Sequence, residues 1–510
     1  MKKFVSGAVL FVLFLTLIFV IFSCTPKSQS DINTNTTDAS SADTQESNTA
    51  ENQTTQEARI KPDLPDVTFK GYEFKIMYRG PDSGVWECKD VYSEAENGDA
   101  INDAVYLRNK TVEDRYNIKI KGIPASYNTI SAAGIKKSVQ AGSNDYDAIM
   151  LRQAELPALV TSGFLYDISK MPYIDLNKPW WDKNIAEQLS IDNKVFATTG
   201  ALLISSNNAC NVIFFNKKLI KDFSLDDPYK LVGDNLWNMN KFAEMCKNIS
   251  ADLNNDGVFD ENDRYGCIVR ADTSPAMYYA AGSQTTDKDD NGIPAISFGG
   301  EKDYAVLNRI IGLLSDKTTV MLDGNFTGLL IEKPNLLLEC FANNQGLFYS
   351  DFLQSAEYMR GNLIKFEFGI LPMPKYDENQ SDYYSFAESS NVSLLTIPVT
   401  SVSNNESLKR TGVILEAMAA ESEYTLKLEF YKNALRGYIY SDSESSEMLD
   451  IIIKNKVISL DETYGWGIHT VIQENLSKLT PNFASSFEAA LPSIESKMNT
   501  AVDAIKSIGN

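Results

Sequence analysis

Segment 72–151 restricts the fold more than any other part of this sequence, because strand and helix patterns alternate along it. Apolar or aromatic residues recur at every second position from Tyr72 to Tyr78, as in a strand. Four elements follow: a helix over about 100–115, a strand at 118–120, a helix over about 129–140 and an apolar strand at 146–151. This β-α-β-α-β order with short connections predicts an α/β fold whose parallel sheet is covered on both faces.

The same pattern predicts where a ligand would bind. Open α/β sheets take ligands beyond the carboxyl ends of their strands. In this segment those ends are the loop after Tyr78 and the pair Arg152-Gln153. We therefore expect these two places to lie at one edge of the sheet.

The rest of the chain has further strands and helices and is too long for one core. Strands are predicted at 212–215, 368–371 and 392–397, and helices from about 218, at 237–249, at 406–420 and from Pro492, which suits a first helical turn. Roughly 445 residues follow position 65, more than a single core usually supports. Two lobes are therefore expected.

The N-terminus has the pattern of a secretory signal, predicted over 1–23. Lys2 and Lys3 precede an apolar run from Phe4 to Phe22, and a small residue and a cysteine follow. The segment Ile21-Phe22-Ser23-Cys24 resembles a bacterial lipobox, although Phe22 is bulkier than the small residue usual at its position. The resemblance predicts a palmitate-bearing lipid on Cys24. The alternative is an uncleaved anchor helix, because the run approaches the ~20 residues that span a bilayer. Both interpretations place the chain at the extracellular face of the membrane.

The segment 24–65 is predicted to be a disordered linker between that anchor and the folded body. It consists mainly of Ser, Thr, Asn, Gln, Asp and Glu, and the first aromatic residue after it is Phe69. Such a segment cannot bury enough apolar surface to offset the entropy of ordering it.

Charge and cysteine content narrow the function classes. The net charge of −21 argues against binding nucleic acid or anionic lipid, and it leaves neutral and cationic ligands. The chain has six cysteines, of which Cys24 is the first and the other five lie in the predicted folded body. No two of them form a C-x-x-C pair. Neither a disulfide framework nor a structural zinc site is expected. We expect most of the five cysteines of the body to act as small, buried apolar residues, and the sequence leaves one disulfide between two of them open. They are Cys88, Cys210, Cys246, Cys267 and Cys340.

The stretch 252–263 has the pattern of a calcium-binding loop. Oxygen-bearing side chains stand at loop positions 1, 3, 5, 9 and 12, and Gly257 at position 6 permits a sharp turn. Phe259 is expected to pack inward. The alternative is an acidic turn without an ion. The predicted ligands of a structural Ca²⁺ are Asp252, Asn254, Asp256, Val258 (through its carbonyl), Asp260 and Asp263. A second stretch, 287–292, copies only half of the pattern and is predicted to be a turn.

Several kinds of catalytic chemistry have no sequence support. His469 is the only histidine, which removes multi-histidine metal sites and triads that need another histidine. The sequence has no phosphate-binding P-loop, nucleophile elbow or dinucleotide-binding turn. Paired carboxylates for glycoside hydrolysis stay open, because such pairs have no fixed spacing. His469 itself is expected to be a packed or capping residue.

Six short segments together resemble one protein family. In chain order they are INDAVY at 101–106, YN at 116–117, DYD at 145–147, KPWW at 178–181, FFNKK at 214–218 and GILPMPKY at 369–376. With this order the chain, from about residue 67 to its end, resembles the family 1 extracellular solute-binding lipoproteins of ABC importers.

The resemblance implies a two-lobed type II periplasmic-binding-protein fold with a hinged cleft. We place one lobe at 66–208 and 370–425, and the other at 209–369 and 426–510. It also implies a monomeric binding protein rather than an enzyme, which captures a sugar or oligosaccharide and delivers it to an ABC permease. A ligand drives closure of such a cleft only by binding the closed state better.

Sugar binders stack aromatic rings on the sugar and bind its hydroxyl groups with polar side chains. The resemblance therefore suggests aromatic and polar residues near predicted strand ends as ligand contacts, with Trp466 first because maltose-type binders place a stacking tryptophan there. The full set is Trp466, Trp86, Gln153, Asn207, Asn208, Tyr278, Tyr279, Tyr349, Asp351, Trp180 and Trp181. Ordinary core packing is the alternative for each, and Trp237 is assigned to helix packing.

Two other functions remain open from the sequence. The chain could be a secreted carbohydrate-active hydrolase, which needs two carboxylates across the cleft, or a solute-sensing lipoprotein without a transport partner. Peptide and polyamine ligands also remain open, and the negative charge favours a cation.

Overall fold

The computed structural model describes residues 59–126, 132–359, 364–438 and 443–509. The predicted signal over 1–23, Cys24 and most of the predicted linker lie outside the described residues. Within these four ranges, no helix is both long enough and apolar enough to cross a membrane. Arg59 forms an ion pair with Glu421 and lies over the ring of Tyr424, so the chain enters the folded body along this surface.

Thirteen strands occur among the described residues: β1 (Tyr72–Arg79), β2 (Ile118–Ala125), β3 (Ala148–Arg152), β4 (Asn211–Asn216), β5 (Tyr265–Val269), β6 (Thr286–Lys288), β7 (Pro294–Ile296), β8 (Val320–Leu322), β9 (Gly346–Phe352), β10 (Phe368–Leu371), β11 (Ser385–Phe386), β12 (Ser393–Thr396) and β13 (Lys456–Val457).

The α-helices in the same ranges are α1 (Ala100–Tyr116), α2 (Ala132–Gln140), α3 (Leu156–Val160), α4 (Lys183–Leu189), α5 (Lys217–Asp222), α6 (Pro228–Gly233), α7 (Met239–Lys247), α8 (Ala276–Ala280), α9 (Glu301–Leu314), α10 (Thr327–Glu332), α11 (Leu336–Ala342), α12 (Ser355–Met359), α13 (Asn405–Glu423), α14 (Leu426–Tyr438), α15 (Ser443–Lys454), α16 (Leu460–Tyr464), α17 (Ile468–Ser477) and α18 (Phe483–Ser507).

The first sheet has the order β12-β3-β1-β2. Strand β1 is parallel to both β2 and β3, with Phe74 opposite Ile120 and Ile76 opposite Ala148. Strand β12 is antiparallel to β3. The parallel sheet predicted from segment 72–151 is therefore confirmed, and the carboxyl ends of β1 and β3 share one edge.

Helix α1 shows how local sequence sets an element of this sheet's cover. Asp99 caps the helix, since its side chain accepts a hydrogen bond from the backbone N–H of Asn102. Asn117 adopts a left-handed conformation and ends the helix. Between them, Val105 and Val112 are buried, as the sequence periodicity predicted.

The second sheet has the order β10-β4-β9-β5-β8. Strand β5 is parallel to β8 and β9, whereas β4 is antiparallel to β9 and β10. Because β5 is parallel to β8 and β9, the carboxyl ends of these three strands share one edge of this sheet.

Gly369 in β10 lies so close to Phe215 that an added Cβ would be 2.2 Å from its ring.

The chain passes between the two sheets more than once. It leaves the first sheet through a short helical segment at Ala201–Ala209, enters β4, and returns from β10 to β12. Helix α14 packs against α1 and α13, and α15 packs against β10. The exact lobe boundaries stay a prediction.

The C-terminal helix begins earlier than predicted. The sequence suggested a start at Pro492, but α18 begins at Phe483 and contains the proline in its interior. Phe483 and Phe487 are buried, so their packing holds the extra turns in place although a proline cannot donate the usual backbone hydrogen bond.

The five cysteines of the body are free thiols, and all are buried. This confirms the prediction that they act as small apolar core residues. For Cys88, burial raises the thiol pKa to about 12.

Candidate functional site

Polar and aromatic side chains follow the strands at the edge of the first sheet. Gln153, directly after β3, is completely buried, and its Nε2 donates a hydrogen bond to the Thr463 hydroxyl (2.6 Å). Its Oε1 has no hydrogen-bond partner among the described residues. Trp86 ends the helical turn that follows β1 and is half-buried. The structure thus brings two sequence-predicted site residues to this edge.

The edge of the second sheet carries a network centred on Asp351 at the end of β9. Its Oδ2 accepts hydrogen bonds from the hydroxyls of Tyr349 (2.5 Å) and Ser355 (2.7 Å). Its Oδ1 accepts one from the backbone N–H of Phe352 (2.9 Å). Tyr349 and Asp351, both predicted from the sequence, are therefore held in one fixed arrangement.

A cavity of about 430 Å³ opens beside this network. Besides Tyr349 and Asp351, it is lined by Arg270, which follows β5, and Asp323, which follows β8. Arg270 donates two hydrogen bonds to Asp272, from Nε (3.0 Å) and Nη2 (2.5 Å). These contacts raise the pKa of the Arg270 guanidinium, so the group stays charged.

The two edges contact each other. The ring of Trp86 lies edge-on against that of Phe352, with centroids 5.7 Å apart. Nearby, Lys89 Nζ lies 3.9 Å from a carboxylate oxygen of Glu357. We call the region where these edges meet the strand-end site, and define it by Trp86, Gln153, Tyr349, Asp351 and Arg270.

Two glutamates that the sequence analysis missed lie beside Gln153. Glu462, one residue before Thr463 in α16, accepts a hydrogen bond from the Ser389 backbone N–H (3.0 Å). Its burial, together with the nearby Glu388 carboxylate, raises the pKa of Glu462 to about 8. Burial also raises the pKa of Glu388. The Asp272 carboxylate raises this pKa further, and the Arg270 guanidinium lowers it. We call Glu388 and Glu462 the acidic corner.

Asn207 and Asn208 lie where the chain crosses to β4. The side-chain oxygen of Asn207 accepts a hydrogen bond from Lys456 Nζ (2.7 Å), and the same ammonium group pairs with Asp182 (2.9 Å). The carbonyl of Asn208 accepts a hydrogen bond from the Gln354 backbone N–H (3.0 Å). In this structure both asparagines therefore bridge the crossover to distant segments.

Tyr278 and Tyr279 lie in α8, and their side chains are buried in the core. The Tyr278 hydroxyl donates a hydrogen bond to Asp303 (2.8 Å). The Tyr279 ring stacks on Phe386, with centroids 4.1 Å apart, and on His469. His469 is thus a packed residue, as predicted, and burial lowers its pKa to about 4.

Trp180 and Trp181 share one buried carboxylate. Their indole nitrogens donate hydrogen bonds to the two oxygens of Glu416, at 3.0 Å and 2.7 Å. Both rings belong to the core of the first sheet. Trp237 likewise packs on Phe242 of α7, as the sequence analysis expected.

Trp466 borders a different cavity from the one beside Asp351. Its ring is 1% exposed and stacks on Tyr464. It borders a cavity of about 550 Å³ whose other walls come from α17, α18 and the loop between them. This cavity shares no lining residue with the one beside Asp351.

The predicted calcium loop folds onto its own backbone. Asp252 accepts hydrogen bonds from two backbone N–H groups, one of them that of Gly257 (2.8 Å), whose φ of 81° matches the sharp turn expected at position 6. The buried Asp263 accepts two more. Phe259 packs on Tyr265, as predicted. Over the described ranges, no three acidic, histidine or cysteine side chains converge as a metal site.

The second acidic stretch is a turn, as predicted. It forms the connection of the antiparallel hairpin β6–β7. The Asp289 carboxylate accepts hydrogen bonds from the backbone N–H groups of Asn291 (2.9 Å) and Ile293 (2.8 Å), and Gly292 has a φ of 72°.

Solved structures of other proteins share this architecture. No family model and no curated protein sequence matches the chain. A cyclo/maltodextrin-binding protein in complex with maltotetraose is similar over 84% of this chain and 98% of its own, with a TM-score of 0.56 and 12% identity. A sugar transporter of Rhizobium etli in an open conformation matches 86% of this chain and 100% of its own (TM-score 0.54, 13% identity).

A third similar structure is an ABC substrate-binding protein of Listeria monocytogenes in complex with cycloalternan. It covers 84% of this chain and 99% of its own, with a TM-score of 0.52 and 12% identity. At such identities the likeness concerns the fold. The chain has the two-lobed α/β fold of periplasmic binding proteins, as the sequence resemblance predicted.

Proposed function

We propose, from the fold that this chain shares with sugar-binding proteins of ABC importers, that it is the extracellular solute-binding component of such an importer. Its ligand in this proposal is a sugar or oligosaccharide, and binding occurs at the strand-end site. The observation that carries the proposal is the contact between the two sheet edges, where Trp86 of one edge meets Phe352 of the other. A solute held there touches both edges and so favours the state in which they are close.

The side chains of the site suit a hydroxylated ligand. Trp86 offers an aromatic ring, and Asp351 and Gln153 offer hydrogen-bond acceptors. Asp351 is buried and is oriented by three donors, which keeps its geometry fixed before a ligand arrives. A preorganised site loses less free energy on binding than a flexible one.

Binding of malto-oligosaccharides and other oligosaccharides to the purified protein, measured by isothermal titration calorimetry, tests the proposal. We expect at least one oligosaccharide to bind with a Kd in the micromolar range or below, and Trp86→Ala and Asp351→Ala to weaken binding at least tenfold. Asp222→Asn, an exposed change on α5, is the matched control and should bind like the parent. Equal binding by parent and Trp86→Ala would contradict the proposed location.

The two alternative functions give different results. A carbohydrate-active hydrolase would shorten the bound oligosaccharide, so chromatography after long incubation should show an unchanged ligand if the chain only binds. A solute-sensing lipoprotein would bind but support no uptake, so deletion of the coding sequence should abolish uptake of the ligand if the chain serves a permease.

The membrane attachment is part of the proposal. A lipid on Cys24 would anchor the chain outside the cell, and the linker up to about residue 65 would let the body move relative to the membrane. Mass spectrometry of the mature N-terminus should find a diacylglyceryl cysteine. Labelled palmitate should be incorporated into the parent and not into a Cys24→Ala variant, whereas an uncleaved anchor helix without a lipid would incorporate none in either.

A structural Ca²⁺ in the loop 252–263 completes the proposal. The hard oxygen donors at Asp252, Asn254, Asp256, Val258, Asp260 and Asp263 suit this ion, which would neutralise their clustered charge. Ca²⁺ at 1 mM should raise the melting temperature relative to EDTA. Asp256→Asn should remove most of that increase, while Asp290→Asn in the second stretch should not. An unchanged melting temperature would contradict Ca²⁺ binding.

A further inference from the structure

The acidic corner of the strand-end site contains hydrogen-bond acceptors that the protein does not satisfy. Glu462 Oε2 and Gln153 Oε1 are closed off from solvent and have no partner among the described residues. They lie together, because Gln153 is bonded to Thr463, the residue next to Glu462. An unsatisfied buried acceptor is unfavourable, so the bound solute is expected to supply hydrogen-bond donors here.

The acidic corner brings two carboxyl groups close together. Arg270 is the cation that acts on Glu388, but Arg270 is already bound through two hydrogen bonds by Asp272. Asp461, the next carboxylate, accepts hydrogen bonds from the backbone N–H groups of Gly467, Ile468 and His469, and Lys497 also acts on it. Glu388 therefore acts on Glu462 as a like charge, and among the described residues the one cation that acts on Glu388 already has Asp272 as its partner.

We infer that the strand-end site takes a sugar that carries a protonated amine, and that this amine binds between Glu462, Glu388 and the free oxygen of Gln153. The inference rests on the proposed function, since it names the class of solute that the same site takes. An ammonium group supplies the donors that both unsatisfied oxygens need once Glu462 is ionised, and its positive charge favours the ionised form of both glutamates. A neutral sugar supplies hydroxyl donors but no positive charge that would favour the ionised form of Glu462.

A consequence of this arrangement is that amine binding releases a proton. The raised pKa of Glu462 keeps its carboxyl group largely protonated at pH 6.5. A cation beside Glu462 favours the ionised carboxylate, so the proton leaves as the ammonium group binds. A neutral sugar has no such effect on Glu462.

Isothermal titration calorimetry at pH 6.5 with three trisaccharides tests the inference: glucosamine trisaccharide, its fully N-acetylated counterpart and maltotriose. We expect the glucosamine trisaccharide to bind at least tenfold more tightly than the other two. Its binding enthalpy should also differ between two buffers of unequal ionisation enthalpy, in the direction of proton release. That measurement uses the unaltered protein and does not depend on whether a variant folds.

Glu462→Gln should reduce the affinity for the glucosamine trisaccharide at least tenfold more than that for the acetylated one. Glu244→Gln, an exposed change on α7, is the matched control and should leave the preference unchanged. Equal or tighter binding of a neutral trisaccharide would overturn the inference and leave the proposed function standing. Failure of all three to bind would also overturn it, while the wider oligosaccharide panel decides the proposed function separately.

Discussion

Glu416 makes the stability of the first sheet's core depend on pH. Its carboxylate is 1% exposed and accepts hydrogen bonds from the indole nitrogens of Trp180 and Trp181. These donors favour the ionised form, but burial outweighs them and raises the pKa of Glu416 from 4.5 to about 7. The folded protein therefore keeps this proton over a pH range in which the unfolded chain loses it.

The size and sign of the effect follow from that difference. Below pH 4.5 Glu416 is protonated in both the folded and the unfolded protein, and its full contribution to the free energy of unfolding is present. It is lost as the pH rises from 4.5 to 7. With ~1.4 kcal/mol for each unit by which the two pKa values differ, the free energy of unfolding decreases by ~3 kcal/mol across this window.

Glu416→Gln isolates this contribution, because glutamine does not titrate. Guanidinium unfolding followed by tryptophan fluorescence at pH 5 and pH 8 gives the free energy of unfolding of parent and variant. The difference, variant minus parent, should rise by ~2–3 kcal/mol between the two pH values. Glu406→Gln, an exposed change at the start of α13, is the control and should show no such rise. An equal difference at both pH values would refute the reasoning.

Two further predictions concern packing. Gly369→Ala should destabilise the protein by ~1–3 kcal/mol in guanidinium unfolding, because the new methyl group overlaps Phe215; Gly324→Ala, whose Cβ would meet nothing within 4 Å, should change stability little, and equal stabilities would contradict the packing. The thiols of the body should react with Ellman's reagent only after unfolding, because all five are buried and burial raises the pKa of Cys210 and of Cys88 to about 12; rapid reaction of the native protein would contradict this burial.

The architecture could be predicted from the sequence where local patterns and topology agree. Alternation at β1 and the apolar run of β3 identified two strands, and the β-α-β rule then gave their parallel pairing. The start predicted for α18 was wrong, because the preference of proline for the first turn of a helix is only a local signal. The burial of Phe483 and Phe487, which depends on distant residues, extends this helix past Pro492.

The candidate site could be predicted only where a residue follows a strand directly. Gln153 satisfies this rule, and Tyr349 and Asp351 come close to it, since they lie in the last four residues of β9. Arg270 satisfies it too, since it directly follows the apolar segment 265–269. Glu462 lies in a short helix far along the chain, and no local pattern connects it to β3.

The aromatic residues predicted as ligand contacts are found in two settings: Trp86 and Tyr349 lie at the strand-end site, and others lie in the core. Trp180, Trp181, Tyr278 and Tyr279 are all buried in the core, each with its polar atom bonded to another side chain. Large rings supply much of the apolar area that any core needs. Their presence near a predicted strand therefore says little about a ligand.

The measurement that tests the central claim most directly is the distance between the two sheets with and without a bound oligosaccharide. The native thiols of the body are buried, so cysteines introduced at the exposed positions Lys121, at the first sheet, and Lys317, just before β8, can carry a pair of fluorescent labels. If the solute binds between the two edges, energy transfer should show a shift toward shorter distances as the site is saturated. A bound oligosaccharide that leaves the distance distribution unchanged would contradict the account.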